Sequence, residues 1–192
     1  METPRGLDAP PASARWGLLA LTVAAALVRL HGLAAEEPWF DEVFSIVASS
    51  QDLATLWRSA VADQTNPPGF YLLLWGWIQL GGLDLAWLRL LPALASTVTV
   101  PAVALAARAL GLGVGAALTA AALAAASPLM LAMAHEVRTY ALLALATTLT
   151  LSAVLRGHRA ATVLGYLALV ALHYFGALVV AARCPRSTAD SV

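Results

Sequence analysis

Two strings in this chain set acids, a base and hydroxyls beside long apolar runs: Trp39-Phe40-Asp41-Glu42 and His135-Glu136-Val137-Arg138-Thr139-Tyr140. A carboxylate pair such as Asp41-Glu42, held at the lipid–water boundary, can meet both a water-soluble hydroxyl and a lipid-borne substrate. A planar guanidinium such as Arg138 can grip two phosphate oxygens at once, and Glu136 and Tyr140 stand close enough in sequence to orient it. Charges this near hydrocarbon are costly unless paired or wetted, so they mark cavities or substrate paths. A plainer reading stands beside that one: acids suit the first turn of a helix, and Arg138 could snorkel to headgroups. Arg29 and Arg89 raise the same choice. Each alone suits an anchor; with Arg138 and the two carboxylates they resemble an anion site with a base.

The elements that must position these residues are apolar. Hydrophobic residues make up 60% of the 192 and charged ones 11%, with a mean hydropathy of +0.78, which describes an integral membrane protein rather than a soluble domain. Net charge is zero and all 11 basic residues are Arg, so no basic stripe points to nucleic acid. The single Cys184 excludes an internal disulfide, and no His/Cys set has zinc spacing. Asp41-Glu42 with His135 is too small a set to assign a cofactor, though a divalent metal stays open. The run Gly111-x-Gly113-x-Gly115 follows no strand and carries no lysine, so it suits close helix packing better than a phosphate loop.

The expected fold is all-α: a polytopic membrane helix bundle of about five spans with interfacial helices in its first outer loop. Residues 1–15 read as a cytoplasmic tail, 16–182 as the transmembrane module with an outer loop at 36–85, and 183–192 as a polar tail. Trp16 to Ala35 forms the first span; Arg29 interrupts it where a cleaved signal would be continuous. Further apolar runs cover Ala86–Ala107, Leu112–Met133, Tyr140–Leu155 and Thr162–Ala182. Val43, Ile46, Val47, Ala54, Trp57 and Val61 recur at helical spacing, which predicts a helix lying in the interface. Gly69–Leu83, bounded by Pro67-Pro68 and Gly81-Gly82, decides the topology. If it dips without crossing, Arg5, Arg15, Arg108, Arg156 and Arg159 share the cytoplasmic side, and Asp41 and Arg138 share the other.

Taken in order, Arg29, Trp39-Phe40-Asp41-Glu42, Asn66-Pro67-Pro68-Gly69-Phe70-Tyr71, Leu88-Arg89-Leu90-Leu91-Pro92, Ser127-Pro128, His135 to Tyr140 and His173-Tyr174-Phe175-Gly176 resemble the GT-C glycosyltransferases. That group includes protein O-mannosyltransferases and the lipid A aminoarabinose transferase, and the likeness runs from about Leu21 to Val180. It implies transfer of a sugar, with inversion, from a polyprenyl-phosphate carrier to an acceptor glycan, lipid or protein on the outer face of a bacterial plasma membrane. Under it Asp41 is the general base and Glu42 a supporting acid. Arg29, Arg89, His135, Glu136, Arg138 and Tyr140 fall to substrate binding, with the arginines at basic positions of the pattern.

Two features depart from the family. Asn66 stands where a histidine commonly precedes the Pro-Pro pair, which leaves any role tied to that histidine open. The polar end from Arg183 to Val192 breaks off an apolar helix abruptly, as a truncated or frameshifted product would. An inactive fragment or assembly subunit is therefore the alternative to an enzyme. A small transporter fits less well, because the charges gather at one membrane face rather than along a mid-membrane route.

Overall fold

The computed structural model describes residues 10–62 and 66–183, and these form ten helices and no strand. The first, α1 (Ala12–Leu30), starts behind Pro10-Pro11 and ends before Gly32, whose φ of +70° suits glycine. The helix thus begins inside the stretch expected to be a cytoplasmic tail, and it stops five residues short of Ala35. Its 19 residues span about 28 Å, close to the hydrocarbon thickness of a bilayer.

The expected interface helix is two helices, α2 (Phe40–Ser49) and α3 (Leu53–Ala62). Asp52 splits them, because its Oδ1 accepts the amides of Ala54 and Thr55 at 3.0 and 3.1 Å and starts a new helix. Hydrogen bonds from Thr55 hold the Asp52 carboxyl below its ordinary range. Val43, Val47, Trp57 and Val61 face outward, whereas Leu56 and Ala60 are buried.

The fourth helix, α4 (Pro68–Gly81), packs against α2 and α3. At its start Gly69 packs so tightly on the Ala171 backbone that a Cβ would collide with it. Near its end Trp77 stacks on Trp87 with centroids 4.3 Å apart, and each indole N–H donates to the other's carbonyl at 2.8 and 3.0 Å. Both ends of α4 are therefore pinned, the first against Ala171 and the second against Trp87.

The long α5 (Leu85–Ala109) is the hub, touching α1, α4, α6, α7 and α8. Asp84 caps it by accepting the Trp87 amide at 3.0 Å. Small residues let its neighbours approach: Ala25, Ala104, Ala117 and Ala121 meet around Val100 between α1, α5 and α6. The expected single span Leu112–Met133 is broken instead into α6 (Val114–Ala126) and α7 (Pro128–Ala134), bent by 55°. The cause is Pro128, which has no N–H for the Ala124 carbonyl.

The last helices are α8 (Tyr140–Leu155), α9 (Arg159–Leu172) and α10 (Phe175–Arg183). Gly165 of α9 fits against Thr150 of α8, where a Cβ would strike the threonine hydroxyl. The expected run Thr162–Ala182 is interrupted at His173, whose Nδ1 accepts the Phe175 amide at 3.2 Å. Arg15, Arg108 and Arg156 gather at the end of the bundle opposite the motifs, with Arg156 donating to the Leu105 carbonyl at 3.2 Å.

Among the described residues two helices, α1 and α5, are long and apolar enough to cross a membrane, and a third crossing results if α6 and α7 count as one bent span. The apolar α8 and α9 have 16 and 14 residues, about 24 and 21 Å, short of a full bilayer core. Among the described residues the chain is thus all-α, with two or three helices that qualify as membrane spans by length and composition. Residues 184–192, including Cys184 and most of the polar tail, lie outside the described residues.

Candidate functional site

The site is built where the start of α2 meets the α7–α8 loop, over a core of Leu56, Phe70, Tyr71, Leu74, Leu88, Val137 and Leu172. Asp41 and Glu42 sit in the first turn of α2, as the chain leaves Pro38 and enters the helix. Neighbours on a helix point about 100° apart, and here that separates their fates.

Glu42 turns inward and is 1% exposed. Its Oε1 accepts Arg89 Nε at 3.1 Å and the Val137 amide at 2.8 Å. Its Oε2 accepts Arg89 Nη2 at 2.9 Å and the Trp39 amide at 3.4 Å. Arg89 spends its remaining Nη1 on the Leu33 and Glu36 carbonyls at 2.9 and 2.8 Å. All three guanidinium nitrogens are thereby engaged by the protein, so the pair joins α2, α5, the α1–α2 segment and the α7–α8 loop. Four charge-assisted bonds to the carboxylate offset the loss of its water.

Arg29 is fully buried and likewise engaged. Its Nε donates to Ser96 Oγ at 2.8 Å, while Nη1 and Nη2 reach the Ala125 and Ala124 carbonyls at 3.2 and 3.1 Å. These are the carbonyls left open where α6 ends, and a cation suits the negative end of a helix. The Arg29 carbonyl accepts the His135 Nε2–H at 2.9 Å. In this geometry Arg29, Arg89 and His135 face protein groups, not an open site.

Asp41 and Arg138 are different. Their ion pair is loose at 3.7 Å, and the Asp41 side chain is 45% exposed against 10% for Arg138. Arg138 Nη1 makes two long contacts, 3.4 Å to the Asp41 carbonyl and 3.5 Å to Ser45 Oγ, and its Nε has no partner. Among the described residues, the buried side-chain nitrogens and oxygens without a partner are this Nε and Ser49 Oγ. A buried donor of this kind is costly, and an anion drawn to the guanidinium would relieve the cost.

Tyr140 lies under the guanidinium, its ring centroid 5.7 Å from Cζ, and His173 lies 6.5 Å from the Tyr140 ring. Burial, then the negative charges of Glu42 and Asp41, push the Glu136 carboxyl above its ordinary range, with Arg138 opposing. Burial and the Arg138 charge lower His173. Ser45 was not among the residues expected from sequence, although its spacing of four from Asp41 on one helix was a signal for it. Ser96 carried no such signal. Among the described residues no three His, Cys, Asp or Glu side chains converge as a metal set.

An apolar cleft of about 650 Å³ runs between α5, α8 and α9, lined by Leu142, Leu149, Leu164, Ala168 and Leu172. It begins beside the site, since the Leu172 carbonyl accepts the Thr139 hydroxyl at 3.0 Å. No family model matches the chain, and neither a curated protein nor a solved structure does. The site therefore carries the functional argument on its own geometry: an exposed carboxylate, a buried guanidinium with unspent donors, and an apolar path beside them.

Proposed function

We propose that this chain is a membrane glycosyltransferase, or the catalytic part of one, that moves a sugar from a polyprenyl-phosphate carrier to an acceptor outside the cytoplasm. The observation that carries the reading is the Asp41–Arg138 pair, a solvent-facing carboxylate 3.7 Å from a buried guanidinium whose Nε is unpartnered. Asp41 takes the proton of the acceptor hydroxyl or amine as its oxygen or nitrogen attacks the anomeric carbon. The bond from that carbon to the phosphate oxygen breaks, and the lipid phosphate leaves with the electron pair. Arg138 meets the charge that develops there, which is where a fixed donor lowers the barrier. A single in-line displacement inverts the anomeric centre.

Glu42 supports this by structure rather than by proton transfer: it ties Arg89 and the Val137 amide, and so sets Asp41 opposite Arg138. The α8–α9 cleft offers the isoprenoid chain an apolar surface next to the phosphate subsite. In this reading the chain crosses five times, through α1, α5, α6–α7, α8 and α9, with α2, α3 and α4 at the interface. The short α8 and α9 are matched by local bilayer thinning. The motif end faces away from the cytoplasm, because Arg15, Arg108, Arg156 and Arg159 lie toward the other end.

The test is turnover of a polyprenyl-phosphate-linked sugar by the purified protein in detergent or nanodiscs, read as release of the lipid phosphate. Sugar transfer that depends on Asp41 supports the reading. Binding of lipid phosphate without any transfer across a panel of sugars and acceptors would leave a lipid-phosphate-binding subunit, not an enzyme.

A further inference from the structure

We propose that Arg29, Ser96 and His135 are positioning residues, a relay that locks the broken α6–α7 span and fixes the loop presenting Arg138. The starting point is a defect in the backbone. Pro128 has no N–H, so the Ala124 carbonyl that a continuous helix would pair with residue 128 is left open, and the 55° bend takes Ala125 with it. In an apolar surround open carbonyls need a donor. Arg29 Nη2 and Nη1 supply it at 3.1 and 3.2 Å.

The same guanidinium reaches the far side of the break. Its Nε donates to Ser96 Oγ at 2.8 Å, and Ser96 Oγ donates onward to the Met130 carbonyl of α7 at 2.9 Å. One side chain thus holds the last turn of α6 directly and α7 through Ser96. The main chain of Arg29 completes the relay, because its carbonyl takes the His135 Nε2–H at 2.9 Å. His135 is the first residue after α7 and lies three before Arg138. From there the Val137 amide is fixed on Glu42 Oε1 at 2.8 Å, so the loop is tied at both 135 and 137.

A lysine cannot replace this arrangement, since a compact ammonium cannot reach Ser96 and two carbonyls in one plane. The placement also explains why a buried cation lies in α1 with no acid beside it among the described residues: its partners are the carbonyl end of a helix dipole. The functional consequence rests on the reading of Arg138 as the phosphate ligand, whereas the structural relay does not.

The experiment measures two things on the full chain in detergent: hydrogen exchange of the segment 127–139, and equilibrium binding of farnesyl phosphate as a short lipid-phosphate probe. For His135→Ala the expected result is about tenfold faster exchange at 135–139 and a similar loss of probe affinity, the scale of one lost buried hydrogen bond. Exchange in α5 and α8 stays at the wild-type rate. His135→Gln, whose side-chain N–H can reach the same carbonyl, restores both. Arg29→Gln extends the faster exchange through α7, and Ser96→Ala, a smaller cut that keeps the α6 cap, confines it to 129–134.

Unchanged exchange at 135–139 in His135→Ala overturns the relay. If probe affinity falls in that variant while exchange stays at the wild-type rate, His135 touches the ligand itself. If wild type fails to bind farnesyl phosphate, the Arg138 reading falls, and the exchange results still decide the relay.

Discussion

Glu42 and Arg89, 47 residues apart, form two parallel hydrogen bonds, Oε1 to Nε at 3.1 Å and Oε2 to Nη2 at 2.9 Å, in a setting that is 1% and 3% exposed. This pair, not the adjacent Asp41, is the mechanical centre of the motif. Removing one partner strands the other as a buried charge, which costs about 3–5 kcal/mol. Glu42→Gln and Arg89→Leu should each lower the unfolding midpoint in detergent markedly. The double replacement Glu42→Leu with Arg89→Met should recover a large part of the loss. Additive losses in the double variant would mean the two residues do not act as a pair.

How much of this was legible in the sequence follows from where each partner lies. Asp41-Glu42 and His135 to Tyr140 stood out because ionisable residues beside hydrocarbon are conspicuous, and the structure brings these two strings together. Which of Arg29, Arg89 and Arg138 keeps spare donors was not legible. That depends on backbone carbonyls of distant segments, Ala124 and Ala125 for one arginine and Leu33 and Glu36 for another, and carbonyls carry no sequence signature. The break at Ser127-Pro128 was missed within the run Leu112–Met133, although Pro128 is a signal for it. The interruption at His173 had no such signal, since it comes from a side-chain hydrogen bond to Phe175 within an apolar run.

Asp41 is exposed and makes no close bond through its carboxylate, so its replacement should leave the fold intact. Asp41→Asn should reduce sugar transfer at least about a hundredfold, the lower scale for a positioned acid–base group. Its unfolding midpoint should match wild type, in contrast to Glu42→Gln. Retained turnover in Asp41→Asn, with membrane insertion verified, would remove it as the base.

Glu136 gives a pH signature with a definite sign. Its carboxyl is raised in the folded protein, so the folded state favours the protonated form. The stabilisation is fully present below the ordinary value of 4.5 and is lost as pH rises through the raised one. Once ionised, Glu136 therefore works against the fold. Glu136→Gln should flatten the decline of the unfolding midpoint as pH rises above 4.5; an unchanged decline would show that the carboxylate is paired in the fold.

Orientation can be read by labelling. Ser49 and Thr139 are buried, which makes them poor reporters, whereas Ser50, Gly113 and His158 are exposed. In a Cys184→Ala background, Ser50→Cys should react with a membrane-impermeant thiol reagent added outside, and Gly113→Cys and His158→Cys should react after the membrane is opened. Outside labelling of Gly113→Cys with Ser50→Cys protected would invert the topology.

Arg138 separates a ligand from an anchor. Its Nε is buried without a partner and its Nη contacts are all 3.4 Å or longer, so the guanidinium has two or more donors to give an incoming phosphate. Tyr140, with its ring 5.7 Å from Cζ, holds the plane of the fork toward Asp41 and Ser45. A lysine at this position keeps the charge and loses the fork that reaches two phosphate oxygens. Arg138→Lys should therefore weaken binding of a short polyprenyl phosphate by about tenfold or more, the scale of a charge-assisted hydrogen bond. Arg138→Ala should weaken it further, and sugar transfer should fall in the same order. Ser45→Ala should reduce binding less than Arg138→Lys, because the hydroxyl is 3.5 Å from Nη1 and steers the fork rather than carrying charge. Wild-type binding and transfer in Arg138→Lys would make Arg138 a headgroup anchor. With Arg29 and Arg89 already engaged by carbonyls and Glu42, that result would leave the site without a phosphate ligand and the proposed reaction without its leaving-group support.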